Sequence, residues 1–420
     1  MKKVLIIASR WGTRVPGLVK YLPEFGWQPI LLTTRTPQDV QLPHEPWIIE
    51  TPYRDALGFW KRLLKLDPDK DAGGQVRKRF GGTYYGFFID YVLSILGGIT
   101  NYPDTYKGWK PFAISEGSQL LQDENVDALV SSSAPVTSHI IASELKSRYK
   151  IPWLADLRDL WSQNHNYYYG PLRKMIDRRL ELKTLAEANT LTTVSRPWAD
   201  KLSRLHGSKT THVVTNGFEP ETANTSPIEV TAKFTITYTG TIYTRKQHPT
   251  GLFAALKELI SDKVIDPDNI EVRFYGSEPG CLDREIPEYG LSGIVRHHGL
   301  VSRQSSIEKQ KESQLLLLLD WDDPQEKGVY PGKIFEYLAA RRPILATGGI
   351  TGNVVSKLLD ETKAGIHAPT VPDIKDALKE LYHEYARNGI VGYQALEPET
   401  SKYSYREMAR EFAEILNHLV

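Results

Sequence analysis

The feature that most constrains this chain is the recurrence of short β-branched or leucine-rich runs separated by helical stretches. Strands that read as near-continuous apolar runs must be buried on both faces, which is the signature of parallel sheets. In the first half the runs are Val4 to Ala8, Pro29 to Thr33, Ala128 to Ser131, Trp153 to Asp156 and Leu191 to Val194. The second half repeats the style with Phe234 to Tyr238, Ile270 to Tyr275, Ile294 to His297, Leu315 to Leu319 and Ile344 to Ala346. This alternation predicts an α/β chain with two doubly wound, Rossmann-like domains. Asn216-Gly217-Phe218-Glu219-Pro220 and the polar stretch through Ser226-Pro227 mark a linker, so the domains are expected over 1–225 and 226–400. Met408, Phe412, Ile415, Leu416 and Leu419 share one face at helical spacing, and residues 401–420 are expected to form an amphipathic helix that docks back on the first domain. Two such sheets are expected to face each other across a cleft lined by the carboxyl ends of their strands, where doubly wound sheets bind ligands.

With 420 residues the chain can bury two cores. Its 52 basic and 51 acidic side chains leave a net charge of +1, too little to hold a polyanion, so no nucleic-acid partner is expected. The lone Cys281 excludes an internal disulfide and a multi-cysteine zinc site. The apolar run Val4 to Ala8 is too short for an export signal, and a cytoplasmic location is expected. Tyr84 to Leu96, bracketed by glycines and carrying Asp90, falls short of the roughly 20 apolar residues of a membrane span and reads as a core or interfacial helix.

Most motifs fail on inspection. Gly12-Thr13-Arg14-Val15-Pro16-Gly17 has the glycine spacing of a phosphate loop, but Leu18 and Val19 stand where Lys and Ser or Thr are needed. No G-x-G-x-x-G follows a predicted strand. Asp67-Pro68-Asp69-Lys70-Asp71 opens like a calcium loop, yet Gly73 comes late and Lys78 replaces the bidentate Glu. Asp320-Trp321-Asp322-Asp323 reads either as a D-x-D metal clamp or as an acidic loop, and no bound metal is expected. The histidines show no zinc spacing, and Ser132 and Ser195 lie outside any nucleophile elbow.

One constellation survives. After the strand Leu315 to Leu319, Pro331 and Gly332 open a helix whose free amides and positive dipole end suit a diphosphate, and Lys333 adds a mobile cation. Glu336 falls one turn on, where its carboxylate suits the vicinal diol of a ribose. A nucleotide-sugar has both handles; an ordinary i,i+3 surface ion pair on a capped helix would give the same spacing.

The block Gly332-Lys333-Ile334-Phe335-Glu336-Tyr337-Leu338-Ala339-Ala340 with Arg342-Pro343-Ile344 resembles the donor-binding helix of the retaining family-4 glycosyltransferases of the GT-B fold. Tyr238-Thr239-Gly240-Thr241-Ile242-Tyr243 with Arg245 and Lys246, then Phe274-Tyr275-Gly276, His298-Gly299 and Asn216-Gly217-Phe218 are similar to further stretches of that family. Ala155-Asp156-Leu157-Arg158-Asp159-Leu160-Trp161 and Pro103-Asp104 with Trp109 are similar to a bacterial polysaccharide-type subgroup. Two departures stand out. Gly328 occupies the position eight before Glu336 where relatives carry a sugar-contacting glutamate, and Thr241 stands where many carry an arginine.

The resemblance implies transfer of a sugar, with retention, from a nucleotide-diphosphate sugar to a glycan, lipid-linked or small-molecule acceptor in cell-surface polysaccharide or glycoconjugate synthesis. Charge on the leaving diphosphate would be met by Arg245, Lys246, Lys333 and the helix amides, with His139 and Asp159 as first-half groups facing sugar or acceptor. For each of these two a bland alternative stands beside the functional one, a satisfied core histidine and a structural Arg–Asp pair. Pro331, Gly332, Glu336, Gly240, Thr241, Gly276, Gly299, Ser302, Gly12 and Gly17 are the donor-binding candidates, and Trp11, Arg14 and Arg158 the acceptor-binding ones. Phe59, Trp60, Leu63 and Leu64 alternate with Lys61, Arg62 and Lys65 within an aromatic and basic insertion at about 55–110. That insertion suits either an anionic membrane surface on the inner face of the cell membrane or packing on its own domain. The rival readings are a nucleotide-sugar epimerase or hydrolase on the same fold, and a binding scaffold without turnover.

Overall fold

A computed structural model describes residues 1–8, 14–34, 47–54, 102–167, 169–207, 209–223, 229–244, 246–277 and 280–420. The chain divides into two compact units, Met1–Val214 with Ala409–Val420, and Thr215–Met408.

The first unit is built on a parallel sheet of seven strands: β1 (Lys2–Ile7), β2 (Trp27–Thr34), β3 (Trp47–Thr51), β4 (Ala128–Ser133), β5 (Trp153–Leu157), β6 (Thr190–Thr193) and β7 (Thr211–Val213). Their spatial order is β3-β2-β1-β4-β5-β6-β7. The second unit has six parallel strands: β8 (Phe234–Thr239), β9 (Ile270–Tyr275), β10 (Val295–Gly299), β11 (Leu315–Leu319), β12 (Ile344–Thr347) and β13 (Gly365–Ala368). Their order is β10-β9-β8-β11-β12-β13. Both orders reverse at one place, between β1 and β4 and between β8 and β11, and at such a switch point the crossovers diverge and leave a crevice beyond the carboxyl ends of the strands.

The five leucines of β11 show why the second sheet is buried on both sides. Leu315, Leu317 and Leu319 join Leu252, Phe253 and Leu256 of the helix Thr250–Ser261 and Ile374 and Leu378 of the helix Val371–Asn388 in one core. Leu316 and Leu318 point the other way, into a core with Ile334, Phe335 and Leu338 of the helix Lys333–Ala340 and Val355 and Leu358 of the helix Val354–Thr362. The period-two alternation of a strand thus feeds two separate apolar layers.

All ten expected strands are present. Among the described residues three further strands, β3, β7 and β13, each lie at a sheet edge, are short and are partly solvated. The chain leaves the first unit at Val214 and returns at Ala409. Around Gly217 it runs against Ser404: Phe218 N donates to Tyr403 O at 2.9 Å and Tyr405 N to Phe218 O at 2.8 Å, and a Cβ on Gly217 would lie 2.7 Å from the Ser404 carbonyl carbon. The closing helix, Tyr405–Leu419, buries Phe412 and Leu416, and Trp27 Nε1 donates to Asn417 Oδ1 at 3.2 Å. Among the described residues no helix is long and apolar enough to cross a membrane. The expected helix Tyr84 to Leu96, the acidic turn at Asp67 and the basic, aromatic run from Phe59 to Lys65 lie outside the described residues.

Candidate functional site

In the second unit, β8, β9 and β10 each give way at their carboxyl ends to a glycine with positive φ: Gly240 (144°), Gly276 (137°) and Gly299 (75°). Gly240 N donates to Tyr275 O and Gly276 N to Gly299 O, both at 2.8 Å, so the three turns are stitched side by side. A Cβ on Gly276 would sit 1.9 Å from Gly240 O, which leaves no alternative to glycine there. The resulting ledge has backbone where side chains would otherwise stand. Beside it Thr241 Oγ1 and Ser277 Oγ lie 2.8 Å apart, and His297 Nε2 lies 3.0 Å from Gly276 O.

Next to this ledge, across the switch point, the helix Lys333–Ala340 starts after Pro331 and Gly332. Ile334, Phe335, Tyr337 and Leu338 bury its inner face, which turns Lys333 and Glu336 outward, each about one third exposed. Lys333 Nζ lies 2.8 Å from Glu336 Oε2. Gln310 Nε2 donates to Glu336 Oε2 at 3.3 Å and to Thr239 Oγ1 at 2.8 Å, while Thr239 N donates to the Tyr337 hydroxyl at 3.0 Å. Burial raises the pKa of that phenol, which stays neutral. A Cβ on Gly240 would lie 3.3 Å from Lys333 Cε, so the lysine stem runs over the bare end of β8. Gly240, Lys333 and Glu336 therefore form one cluster. Gln310 and Tyr337 complete it; Tyr337 stood inside the recognised block, whereas nothing in the sequence singled out Gln310.

The loop after β8 meets the acidic loop after β11. Lys246 Nζ pairs with Asp323 Oδ2 at 2.7 Å, and Asp322 N donates to Lys246 O at 2.8 Å. Gln247 fixes the base of this junction, donating to Leu319 O at 2.7 Å and accepting from Tyr243 N at 3.2 Å. Asp320 is buried and accepts from Asn353 Nδ2 at 2.6 Å and Trp321 N at 2.7 Å, with His367 Nε2 3.3 Å away. The carboxylates of Asp320 and Asp323 thus have protein partners, and among the described residues no cluster of three or more His, Cys, Asp or Glu side chains is arranged to hold a metal. Glu326 Oε1 accepts from Gly328 N at 3.2 Å. Ser302, expected near the donor, caps the helix Arg303–Lys311: its hydroxyl accepts from Ser305 N at 3.1 Å.

In the first unit several expectations change. Arg14 is 1% exposed, and its Nε and Nη2 bind the two oxygens of the fully buried Asp156 at 3.0 and 2.9 Å. Nη2 also reaches Val214 O at 2.9 Å, and the guanidinium lies over the Phe412 ring. Ser132 Oγ and Thr192 Oγ1 donate to the same carboxylate, each at 2.8 Å. Arg14 is therefore a buried structural cation rather than an acceptor-facing one. His139 is likewise fully buried. Its Nδ1 lies 2.7 Å from Ser131 Oγ, which accepts from Trp153 Nε1 at 2.8 Å, and its Nε2 has no hydrogen-bond partner among the described residues. Desolvation holds its pKa down to about 4, against a smaller opposing pull from Asp156. A neutral, enclosed imidazole does not face an acceptor. Gly17 sits inside the helix Arg14–Tyr21 rather than in a loop.

Arg158 Nε donates to Ser133 O at 2.8 Å and Nη2 to Ala134 O at 3.3 Å, and the half-buried Asp159 follows it. Asp104 accepts from Tyr106 N, Thr137 N and Thr137 Oγ1 at 2.7 to 2.8 Å, and burial raises its pKa. Trp11, Gly12 and Arg245 lie outside the described residues.

Residues 11–217 match the family model of the glycosyl transferase 4-like domain. No curated protein matches the chain. Among solved structures, a sucrose-phosphate synthase from Thermosynechococcus elongatus is similar with a TM-score of 0.64 at 12% identity, covering 100% of this chain and 99% of that one. Anabaena HepE in complex with UDP and glucose is similar with a TM-score of 0.63 at 11% identity, covering 100% of both chains. The lipopolysaccharide outer core galactosyltransferase WaaB is similar with a TM-score of 0.56 at 12% identity, again covering 100% of both. The shared architecture is the GT-B fold.

Proposed function

We propose that this chain, a glycosyltransferase of the GT-B type, takes a UDP-linked hexose as its donor and binds it at the carboxyl ends of β8 and β11. The observation that carries the reading is the cluster of Lys333, Glu336 and the side-chain-free edge at Gly240. The UDP and glucose of the HepE complex support the choice of nucleotide. Gly332 and Lys333 amides, the Lys333 and Lys246 ammonium groups and Arg245 hold the diphosphate, and Thr241 lies beside it. Glu336 accepts from the ribose hydroxyls, and the ledge through Gly276 and Gly299 lets the nucleoside approach the backbone.

In the transfer step a bond forms between the acceptor oxygen and the anomeric carbon. The bond from that carbon to the diphosphate oxygen breaks, its electron pair leaves with the diphosphate, and the acceptor proton passes to a diphosphate oxygen on the same face, so configuration is retained. Charge builds on the leaving group, and cations fixed before the reaction stabilise it more than they stabilise the bound donor. This step needs no bound metal. The acceptor, a glycan, lipid-linked or small-molecule hydroxyl of a cell-surface glycoconjugate, is assigned to the first unit, with Arg158 and Asp159 as its neighbours. Peripheral contact with an anionic inner-membrane surface is assigned to the basic, aromatic segment at about 55–110.

The test is a thermal-shift screen of the purified chain against UDP, GDP, dTDP and CMP with and without magnesium. A ligand at 100 times its dissociation constant stabilises by about 2.7 kcal/mol. A UDP-selective, magnesium-independent shift that Glu336→Ala removes is the expected result, and no shift with any nucleotide overturns the reading. Gly328 at the position of the relatives' glutamate favours the scaffold alternative. Net transfer from a UDP-sugar to an added acceptor separates a transferase from that scaffold and from a hydrolase or epimerase.

A further inference from the structure

We propose that Asp323 is the resident counter-ion of Lys246 and is exchanged for the donor's diphosphate each time a nucleotide-sugar binds; the inference rests on the donor site proposed above. Three observations in the second unit lead to it. First, the ion pair joins two loops that leave the carboxyl ends of the adjacent strands β8 and β11, with Lys246 Nζ 2.7 Å from Asp323 Oδ2. Second, both ends are aimed by backbone. Asp322 N holds Lys246 O at 2.8 Å, Asp323 N donates to Trp321 O and Glu326 N to Asp323 O, each at 3.0 Å, and Gln325 N donates to Asp323 Oδ1 at 3.0 Å. The carboxylate is therefore held in place by its own turn, whose root is the buried Asp320 bound to Asn353. Third, both partners remain about one third exposed, so an anion from solvent can compete for the ammonium.

The neighbouring pair differs in kind. Glu336 sits on the same helix as Lys333 and has Gln310 as a second partner, so when Lys333 turns to phosphate Glu336 stays beside it and is available for the ribose. Asp323 and Lys246 instead come from two different loops, and Gln325 N holds the other oxygen of the carboxylate. A carboxylate within ion-pairing distance of a cation that is to hold phosphate repels that phosphate, so it must lose Lys246 for the donor to bind. A singly charged anion gains little by that exchange, whereas a diphosphate gains the lysine together with the Lys333 end of the cluster. The pair thus makes the site selective for a diphosphate over a monoanion and favours release of the nucleotide product when Asp323 recaptures Lys246.

The experiment is calorimetric titration of the full chain with UDP and with uridine, for wild type, Asp323→Asn and Lys246→Met. Exposed pairs of this type are worth up to about a 5-fold change in an equilibrium, so Asp323→Asn should bind UDP about 5-fold more tightly while its affinity for uridine stays unchanged. Lys246→Met should weaken UDP and leave uridine alone, and Asp323→Asn should help UDP less in the Lys246→Met background than in wild type. Asp323→Ser serves as the second variant should the asparagine disturb the turn. UDP affinity that is unchanged or lower in both Asp323 variants, or insensitive to Lys246→Met, overturns the inference while the donor site stands. If wild type binds neither UDP nor uridine, the donor-site reading falls and the inference falls with it.

Discussion

His139 provides the sharpest separation between a packed residue and a catalytic one. Its imidazole is fully buried between Ser131 and the ring of Trp161, and desolvation takes its pKa from 6.5 to about 4. Below pH 6.5 the unfolded chain takes up a proton that the folded chain refuses, so stability falls with pH through this window and the loss levels off below about 4. At 1.36 kcal/mol per pKa unit, the displacement from 6.5 to about 4 amounts to about 3 kcal/mol at the acid end. His139→Gln removes this one titration. Denaturant unfolding of both proteins at steps from pH 7 to pH 4 should therefore show the wild type losing about 3 kcal/mol more than the variant. A histidine NMR titration should show one imidazole, absent from the variant, still neutral at pH 5. Transfer activity per folded molecule should survive in the variant. Parallel unfolding curves, or an NMR titration of His139 near 6.5, would refute the burial argument and restore it as a group facing sugar or acceptor.

Arg14→Ala leaves the buried Asp156 without its guanidinium partner, and the expected cost is about 3 to 5 kcal/mol in thermal or chemical unfolding; a stable variant that lost only acceptor affinity would return Arg14 to the acceptor site. Gly276→Ala drives a methyl into Gly240 O and strains a φ of 137°, so it should cost about 1 to 3 kcal/mol in stability and abolish UDP binding in the thermal-shift assay. Lys333→Met and Glu336→Ala should divide the donor between them. The first should lower turnover on the order of 10²–10³-fold with uridine binding intact, and the second should weaken uridine and UDP alike by roughly 10- to 100-fold; equal effects on uridine from both variants would refute the assignment.

The sheets were legible where burial leaves a local trace. Leu315 to Leu319 can only be a strand covered on both faces, and the alternation of its side chains between two cores follows from the pleat. Lys333 and Glu336 were legible because their interaction is itself local, three residues apart on one helix. What the sequence hid depends on distant partners. Arg14 looks the same in sequence whether it faces a ligand or meets Asp156, 142 residues away. Gln310 gains its role only when its helix places it 2.8 Å from Thr239 and 3.3 Å from Glu336. Ser302 caps its helix through Ser305 N, an i to i+3 contact that the sequence does carry locally.

In the proposed donor site the cations already have carboxylate partners, Lys246 in Asp323 and Lys333 in Glu336. Under the proposed function, ground-state binding of the diphosphate is an ion exchange at Lys246, where the new phosphate contact is offset by Asp323 losing its partner, so charge adds less to binding than unpartnered cations would. The nucleoside then supplies a large share of the affinity, through Glu336 and the glycine ledge. As the sugar–phosphate bond breaks, the leaving oxygen gains negative charge while the displaced Asp323 carboxylate gains none. The lysines therefore strengthen their hold on the diphosphate during the reaction more than on binding, which is the difference that raises turnover rather than occupancy. For the same reason a substitution of Lys333 should act on kcat more than on the donor KM, whereas one of Glu336 should act on the donor KM first.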